Sequence, residues 1–397
     1  VIFNRFQGIF MDYENKNGTL TVFLSGRIDS NNAQATEEKI NALRAENAHD
    51  ALLVDAGSLE YISSAGLRII LRLKKAESEM KVVNVNPEVY EIFDMTGFTE
   101  MMTIEKAYRK ISVEGCQVIG QGANGKIYRI DTDTIVKVYM NPDSLDDIRR
   151  ERDLAKKAFV LGIPTAMSYD VARVGEGYGS VFELLSAKSF AELFATEPQR
   201  FDELIDLYVD LLKKIHSTSV KKGDMPDMRE VAIGWAEYDR KLLPDNLGKK
   251  LCDMVSAVPE SDKMMHGDYH VKNVMMQGDE VLLIDMDTLC VGDPVFEFGS
   301  VFNAYLGFAE IDVKQSESFL GISHDTAVAI WKKTLEKYFG TSDEKLLKQV
   351  ENKAKVVGYM RNLRRYARRL GVDAEETKYY RERLIAVLSE VDDLKLN

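Results

Sequence analysis

Apolar positions along this chain change their spacing partway through. In the first quarter, short apolar runs alternate with helical spacings. Thr19–Ser25 reads as a strand ending at Gly26, residues 31–47 as a helix carried by Ile40 and Leu43, and Ala51–Ala56 as a second strand. A loop over Gly57–Ser63 leads into a helix from Ser64 to Ala76 with Leu67, Ile70 and Leu71 on one face. The strand Lys81–Val85 and a helix opened by Pro87 and stopped at Gly97 complete the series. Strands that alternate with helices predict a small α/β domain.

After a short linker at residues 108–114 the pattern becomes hairpin-like. Cys116–Ile119 and Lys126–Ile130 are strand-like arms around Gly120-Gln121-Gly122-Ala123-Asn124-Gly125, and a turn at Asp131–Thr134 returns the chain into Ile135–Tyr139. A charged helix over residues 145–161 and an apolar strand at Ser180–Leu185 follow. Helical spacing then takes over, from Phe201–His216 to the end of the chain. The predicted fold class is α+β in two domains, at 11–108 and 113–397. The second domain has a strand-rich lobe over about 113–185 and a helical lobe over about 186–397.

Composition narrows the setting. A length of 397 residues with 45% hydrophobic content accommodates two cores and excludes a disordered chain. A net charge of −12 gives no electrostatic attraction for nucleic acid, so no nucleic-acid partner is expected. Cys116, Cys252 and Cys290 are dispersed and odd in number, which excludes a disulfide framework or zinc cluster and fits a reducing cytoplasm. No apolar run reaches the roughly 20 residues of a membrane span. The first ten residues include Asn4, Arg5 and Gln7, too polar for a signal-peptide core, and Met11 is the expected natural start.

The densest chemistry lies at His266-Gly267-Asp268, followed by Asn273 and then Leu283-Ile284-Asp285. One carboxylate to orient a hydroxyl, then an amide and a second carboxylate to hold Mg²⁺ on ATP, is the spacing of a phosphoryl-transfer centre. Upstream, Gly120, Gly122 and Gly125 would let a hairpin backbone approach phosphates closely. This stretch is not a P-loop, because Ile127 stands where a hydroxyl would ligate the metal. Nor is it a dinucleotide fingerprint, since a strand follows it instead of a helix. Lys137 on the next strand suits the α and β phosphates, and Glu151 on the following helix is the expected carboxylate for it. In this scheme the main chain of Glu183 and Leu185 would bond the adenine edge.

These marks resemble the aminoglycoside phosphotransferase and choline kinase superfamily, which has a bilobal protein-kinase-like fold. The distinguishing features are His-Gly-Asp at 266–268, the pair Tyr269-His270, Ile284-Asp285-Met286-Asp287, and Gly292-Asp293-Pro294. The resemblance implies Asp268 as catalytic base, Asn273 and Asp285 as metal ligands, and His266 and Asp287 as loop supports. Glu297 stands where relatives often have Asp. His216 is expected as a structural cap and His270 as a packed, hydrogen-bonding residue.

In the first domain, the segment from Asp55 to Arg68 resembles the phosphorylation loop of STAS domains, the fold of bacterial anti-sigma-factor antagonists. Alignment on Gly66-Leu67 puts the phosphoacceptor at Ser64, with Ser63 where many antagonists carry Asp. A hydroxyl at a helix start could equally be a plain N-cap. The resemblance implies a protein partner of the anti-sigma-factor kind. Near the C-terminus, Arg361, Arg364, Arg365, Arg368 and Arg369 share one helical flank. That flank reads as solvated or salt-bridged, or else as a dock for an anionic partner. Three functions fit: a kinase for small hydroxyl compounds with a regulatory STAS domain, a signalling kinase acting on a protein serine such as Ser64, and a nucleotide-binding pseudokinase.

Overall fold

The computed structural model describes residues 11–122, 125–142 and 144–396. The expected leader at residues 1–10 and the glycine-loop tip at Ala123 and Asn124 lie outside them. The chain divides into two compact units after Ser112.

In the first unit, β1 (Met11–Lys16) turns through Asn17-Gly18 into β2 (Thr19–Ile28). Both turn residues have positive φ, 50° and 77°, as a two-residue hairpin loop demands. Then come α1 (Ala33–Glu46), β3 (Ala51–Ile62), α2 (Ser64–Ala76), β4 (Met80–Val85), α3 (Pro87–Met95) and β5 (Ile104–Lys106). The sheet order is β1-β2-β3-β4-β5, parallel from β2 onward. Alternate strand residues Leu20, Val22, Leu52, Val54 and Val82 pack against Ile69, Ile70 and Phe93 of the helices.

Two boundaries differ from the sequence reading. β2 does not stop at Gly26. That glycine takes φ 78° beside a shift in the β2–β3 register, so the strand bulges there and continues to Ile28. The expected loop Gly57–Ser63 is likewise strand as far as Ile62, because Leu59 and Ile62 are buried and β3 stays paired with β2. The cap is also displaced by one residue. Ser63, not Ser64, is the N-cap of α2 and accepts the Gly66 N–H at 3.4 Å, while Ser64 is exposed in the first turn. A Cβ on Gly66 would lie 2.6 Å from the Ile62 side chain, so glycine is what lets this helix end sit on the sheet.

In the second unit, antiparallel strands Gln117–Gln121, Gly125–Arg129, Thr134–Tyr139, Gly177–Glu183 and Asp170–Val174 are neighbours in that order. Helix Leu145–Val160 stands between the third of these and Asp170 in sequence. The remainder is mostly helical around one large core, in which Tyr208, Tyr269, Tyr305, Phe298 and Phe302 are fully buried. The hairpin Val274–Gln277/Glu280–Leu283 and the short pair Met264–Met265/Cys290–Val291 bracket the segment at residues 266–273. Pairing at both ends thus fixes a segment that has no regular structure of its own.

Candidate active site

Glycines and a buried carboxylate set the shape of the loop at 266–268. Gly267 has φ +82°, and a Cβ there would lie 2.5 Å from the Thr288 carbonyl oxygen, so only glycine is tolerated. Glu297, on helix Pro294–Phe302, is fully buried and accepts the backbone N–H groups of His266 at 2.6 Å and Gly267 at 3.0 Å. Burial opposes its charge, but His216, with its Nε2 3.7 Å away, together with His266 and the Gly267 N–H, holds the carboxyl below its ordinary pKa. His216 is not the helix cap, a place taken by Thr218; it sits buried in the last turn with its other ring nitrogen 2.7 Å from the Tyr338 hydroxyl.

Asp268 emerges from this loop with its carboxylate partly exposed and 3.4 Å from His270 Nε2. Burial raises its pKa. His270 first, then Arg361 and His266, outweigh that and bring it down to about 2, so Asp268 is ionised at any physiological pH. Asn273 donates from Nδ2 to the Asp268 carbonyl at 3.0 Å, and its amide oxygen makes no part of that bond. His266 lies against the Ile284 carbonyl at 3.2 Å, tying the loop to the segment that carries Asp285.

On the sheet side, Lys137 Nζ donates to Glu151 at 3.0 Å and to Asp285 Oδ1 at 2.7 Å. Burial alone would lower the Lys137 pKa, but Glu151 and Asp285 outweigh it, and the ammonium stays charged above its ordinary range. Tyr139 donates to the other Glu151 oxygen at 2.6 Å, which fixes the carboxylate from both sides. Gly125 needs to be glycine because a Cβ would collide with the Val138 carbonyl of the lysine strand. Gly120 faces Ile127 across the hairpin, and the Gly122 N–H bonds the Gly125 carbonyl at 3.0 Å, closing the base of the loop. Glu183 ends its strand opposite Thr134, and Leu185 follows beyond the ladder.

Lys137, Glu151, Asp285, Asn273, His266 and Asp268 therefore form one connected constellation. Asp285 takes a left-handed conformation, φ 62°, at the turn toward Asp287. Burial, followed by repulsion from Asp285, raises the Asp287 carboxyl to about 6. Adjacent carboxylates that repel one another, with an unused amide oxygen nearby, are the donor set that a hard divalent cation relieves. Among the described residues no three His, Cys, Asp or Glu side chains surround one point.

Two participants carry no local sequence signal. Glu297 reaches its loop from 31 residues away. Arg361 donates to the Gly267 carbonyl at 3.2 Å from 94 residues away.

An ionised carboxylate on a glycine-shaped loop, in one constellation with a lysine held by two acids, is an arrangement that suits phosphoryl transfer. Comparison with known families agrees: residues 115–320, just over half of the chain, match the phosphotransferase enzyme family, and the chain belongs to it. Residues 10–111 match the STAS domain. The first unit is similar to "Putative anti-sigma factor antagonist BtrV" of Bordetella bronchiseptica, 32% identical over 91 residues that cover 22% of this chain and 78% of that one. It is also similar to the anti-sigma F factor antagonist of Paenibacillus polymyxa, 26% identical over 98 residues, 24% and 84% of the two chains. Among solved structures, the gentamicin complex of APH(2")-IIa aligns with a TM-score of 0.44 at 13% identity, covering 74% of this chain and 95% of that one. No helix among the described residues is long and apolar enough to cross a membrane.

Proposed function

We propose that the protein is a cytoplasmic ATP- and Mg²⁺-dependent phosphotransferase that moves the γ-phosphate to a hydroxyl of a small molecule, with the STAS domain as its regulatory unit. The observation that carries this reading is the continuity from Glu151 through Lys137 and Asp285 to the loop bearing an ionised, partly exposed Asp268. Asp268 would orient the acceptor hydroxyl and take its proton as the oxygen bonds the γ-phosphorus and the bridging bond to ADP breaks. Lys137, fixed by Glu151, would offset charge on the α and β phosphates. Mg²⁺ held by Asn273 and Asp285 would neutralise the β and γ oxygens. Gly120, Gly122 and Gly125 would cover the phosphates, while the Glu183 and Leu185 main chain would meet the base.

Asp268→Ala is expected to abolish ATP-dependent ADP release while nucleotide binding, followed by calorimetry, persists. Full turnover in that variant would overturn the assignment. A second reading, transfer to a protein serine, draws on the exposure of Ser64 at the start of α2. Radiolabel from [γ-³²P]ATP that stays on the protein and vanishes in Ser64→Ala would select it. ADP release only with added metabolites would select the first reading.

A further inference from the structure

We propose that the acceptor carries an anionic group, a phosphate or a carboxylate, and that the arginine face of helix Glu344–Leu370 binds it beside Asp268. This deepens the phosphotransferase reading and rests on it. Two separate chains of contact connect that face to the catalytic loop. Arg361 Nη1 donates to Ser300 Oγ at 2.6 Å and to the Gly267 carbonyl at 3.2 Å, next to Asp268 in sequence. One turn further along the helix, Arg365 lies over Phe308 at 5.7 Å. Phe308 packs edge-on against Phe319, Phe319 against His270, and His270 stands 3.4 Å from the Asp268 carboxylate.

The face is charged and makes no close ion pair. Among the described residues, none of Arg361, Arg364, Arg365, Arg368 and Arg369 has a carboxylate within 4.0 Å, in a chain whose net charge is −12. Arg361 and Arg364 both lie over the Trp235 ring, at 5.8 and 6.0 Å. The acid that acts on Arg364 is Asp239. It is fully buried, neither oxygen has a hydrogen bond, and burial pushes the carboxyl up to about 8, so it brings no charge at neutral pH. Burial first, and Arg368 second, press the Arg364 pKa downward. Arg365, Arg368 and Arg369 are exposed, whereas Arg361 and Arg364 are half-buried beside an aromatic ring, and Arg368 crowds Arg364 with like charge, a cost that an oxyanion with paired acceptor oxygens removes.

A cationic acceptor would be repelled at the same place. The class selected is therefore a hydroxyl compound that also carries an oxyanion.

The test offers the full chain, with ATP and Mg²⁺, matched acceptors: glycerol, glycerol 3-phosphate and glycerate; ribose and ribose 5-phosphate; and kanamycin as a cationic control. ADP release is expected with an anionic member and not with the neutral compounds or kanamycin, and the phosphate and carboxylate members separate the two sources of charge. In the Arg364→Gln/Arg365→Gln variant, KM for that acceptor should rise about tenfold or more, the scale of a lost charge-assisted hydrogen bond, while the melting temperature reports folding. Turnover of neutral compounds or kanamycin, an unaltered KM in the variant, phosphate transfer to protein alone, or ATP hydrolysis that no anionic compound stimulates would each overturn the inference. Absence of both nucleotide binding and ATP hydrolysis would instead overturn the phosphotransferase reading. In that case, saturable binding of inorganic phosphate, lost in the variant, would still support the anion site, and its absence would refute it.

Discussion

Asp239→Asn should uncouple the stability of the second unit from pH across a defined window. Asp239 sits on helix Met228–Arg240 with no exposed surface and no hydrogen bond to either carboxyl oxygen. Burial raises its pKa from 3.8 to about 8, against a smaller opposing pull from Arg364. In the unfolded chain the group loses its proton near its ordinary value, whereas the folded chain keeps it. Between about pH 4 and pH 8 the folded state therefore holds one more proton, and stability falls as pH rises by ~1.4 kcal/mol per unit, on the order of 5 kcal/mol over the window. Below that window both states are protonated and the contribution is intact. Above it both are ionised and the loss is complete. Asparagine has nearly the same shape and no titration, so the variant should match the wild type near pH 4 and exceed it progressively toward pH 8. Urea unfolding at pH 5, 6, 7 and 8, followed by tryptophan fluorescence, isolates the effect because both tryptophans, Trp235 and Trp331, belong to the second unit. Other groups titrating in this range cancel in the difference between the two proteins. A difference that stays constant from pH 5 to pH 8 would refute the burial of a neutral acid.

Two further substitutions probe the catalytic framework. Lys137→Ala removes the cation shared by Glu151 and Asp285 and leaves Glu151 buried without it, so nucleotide affinity measured by calorimetry should fall about tenfold or more. Gly267→Ala places a methyl group 2.5 Å from the Thr288 carbonyl at a φ of +82°. It should cost about 1–3 kcal/mol in urea unfolding and lower turnover more than nucleotide affinity, because the displaced element carries Asp268.

Local pattern made the first unit legible and picked out the candidate loop at residues 266–268, and failed where long-range pairing decides. Alternation of buried residues along Ala51–Ala56 fixed the strand, but Gly57 and Ser58 read as a turn, because glycine and serine usually punctuate. Pairing with β2 carried the strand on to Ile62 and left Ser63 as the cap. The spacing of Asp268, Asn273 and Asp285 was visible because a single segment contains all three, and the Lys137–Glu151 pair because a strand and the next helix supply it. Glu297 was seen only as a deviation in type. Its hold on two backbone N–H groups depends on a helix whose placement no local pattern encodes. The arginine flank was read as solvated or salt-bridged, and Arg365, Arg368 and Arg369 are exposed while Arg361 and Arg364 lie beside Trp235. Spacing tells which residues share a face, not what that face meets.

Electrostatics then links these parts. The loop carrying Asp268 is held from behind by a buried anion, Glu297, and a neighbouring cation, Arg361, both acting on backbone polar groups. Neither contact uses the Asp268 side chain, so the loop backbone is held while the carboxylate stays free of these two partners, an arrangement that would favour preorganisation for phosphoryl transfer. Arg361 has a second consequence, since it also helps hold the Asp268 carboxyl down near 2. A carboxylate that acidic accepts a full proton poorly but keeps its charge and its hydrogen-bonding capacity at every working pH. In the proposed reaction its main contribution would thus be to orient the acceptor hydroxyl, with proton uptake following as the new P–O bond forms and the hydroxyl becomes acidic.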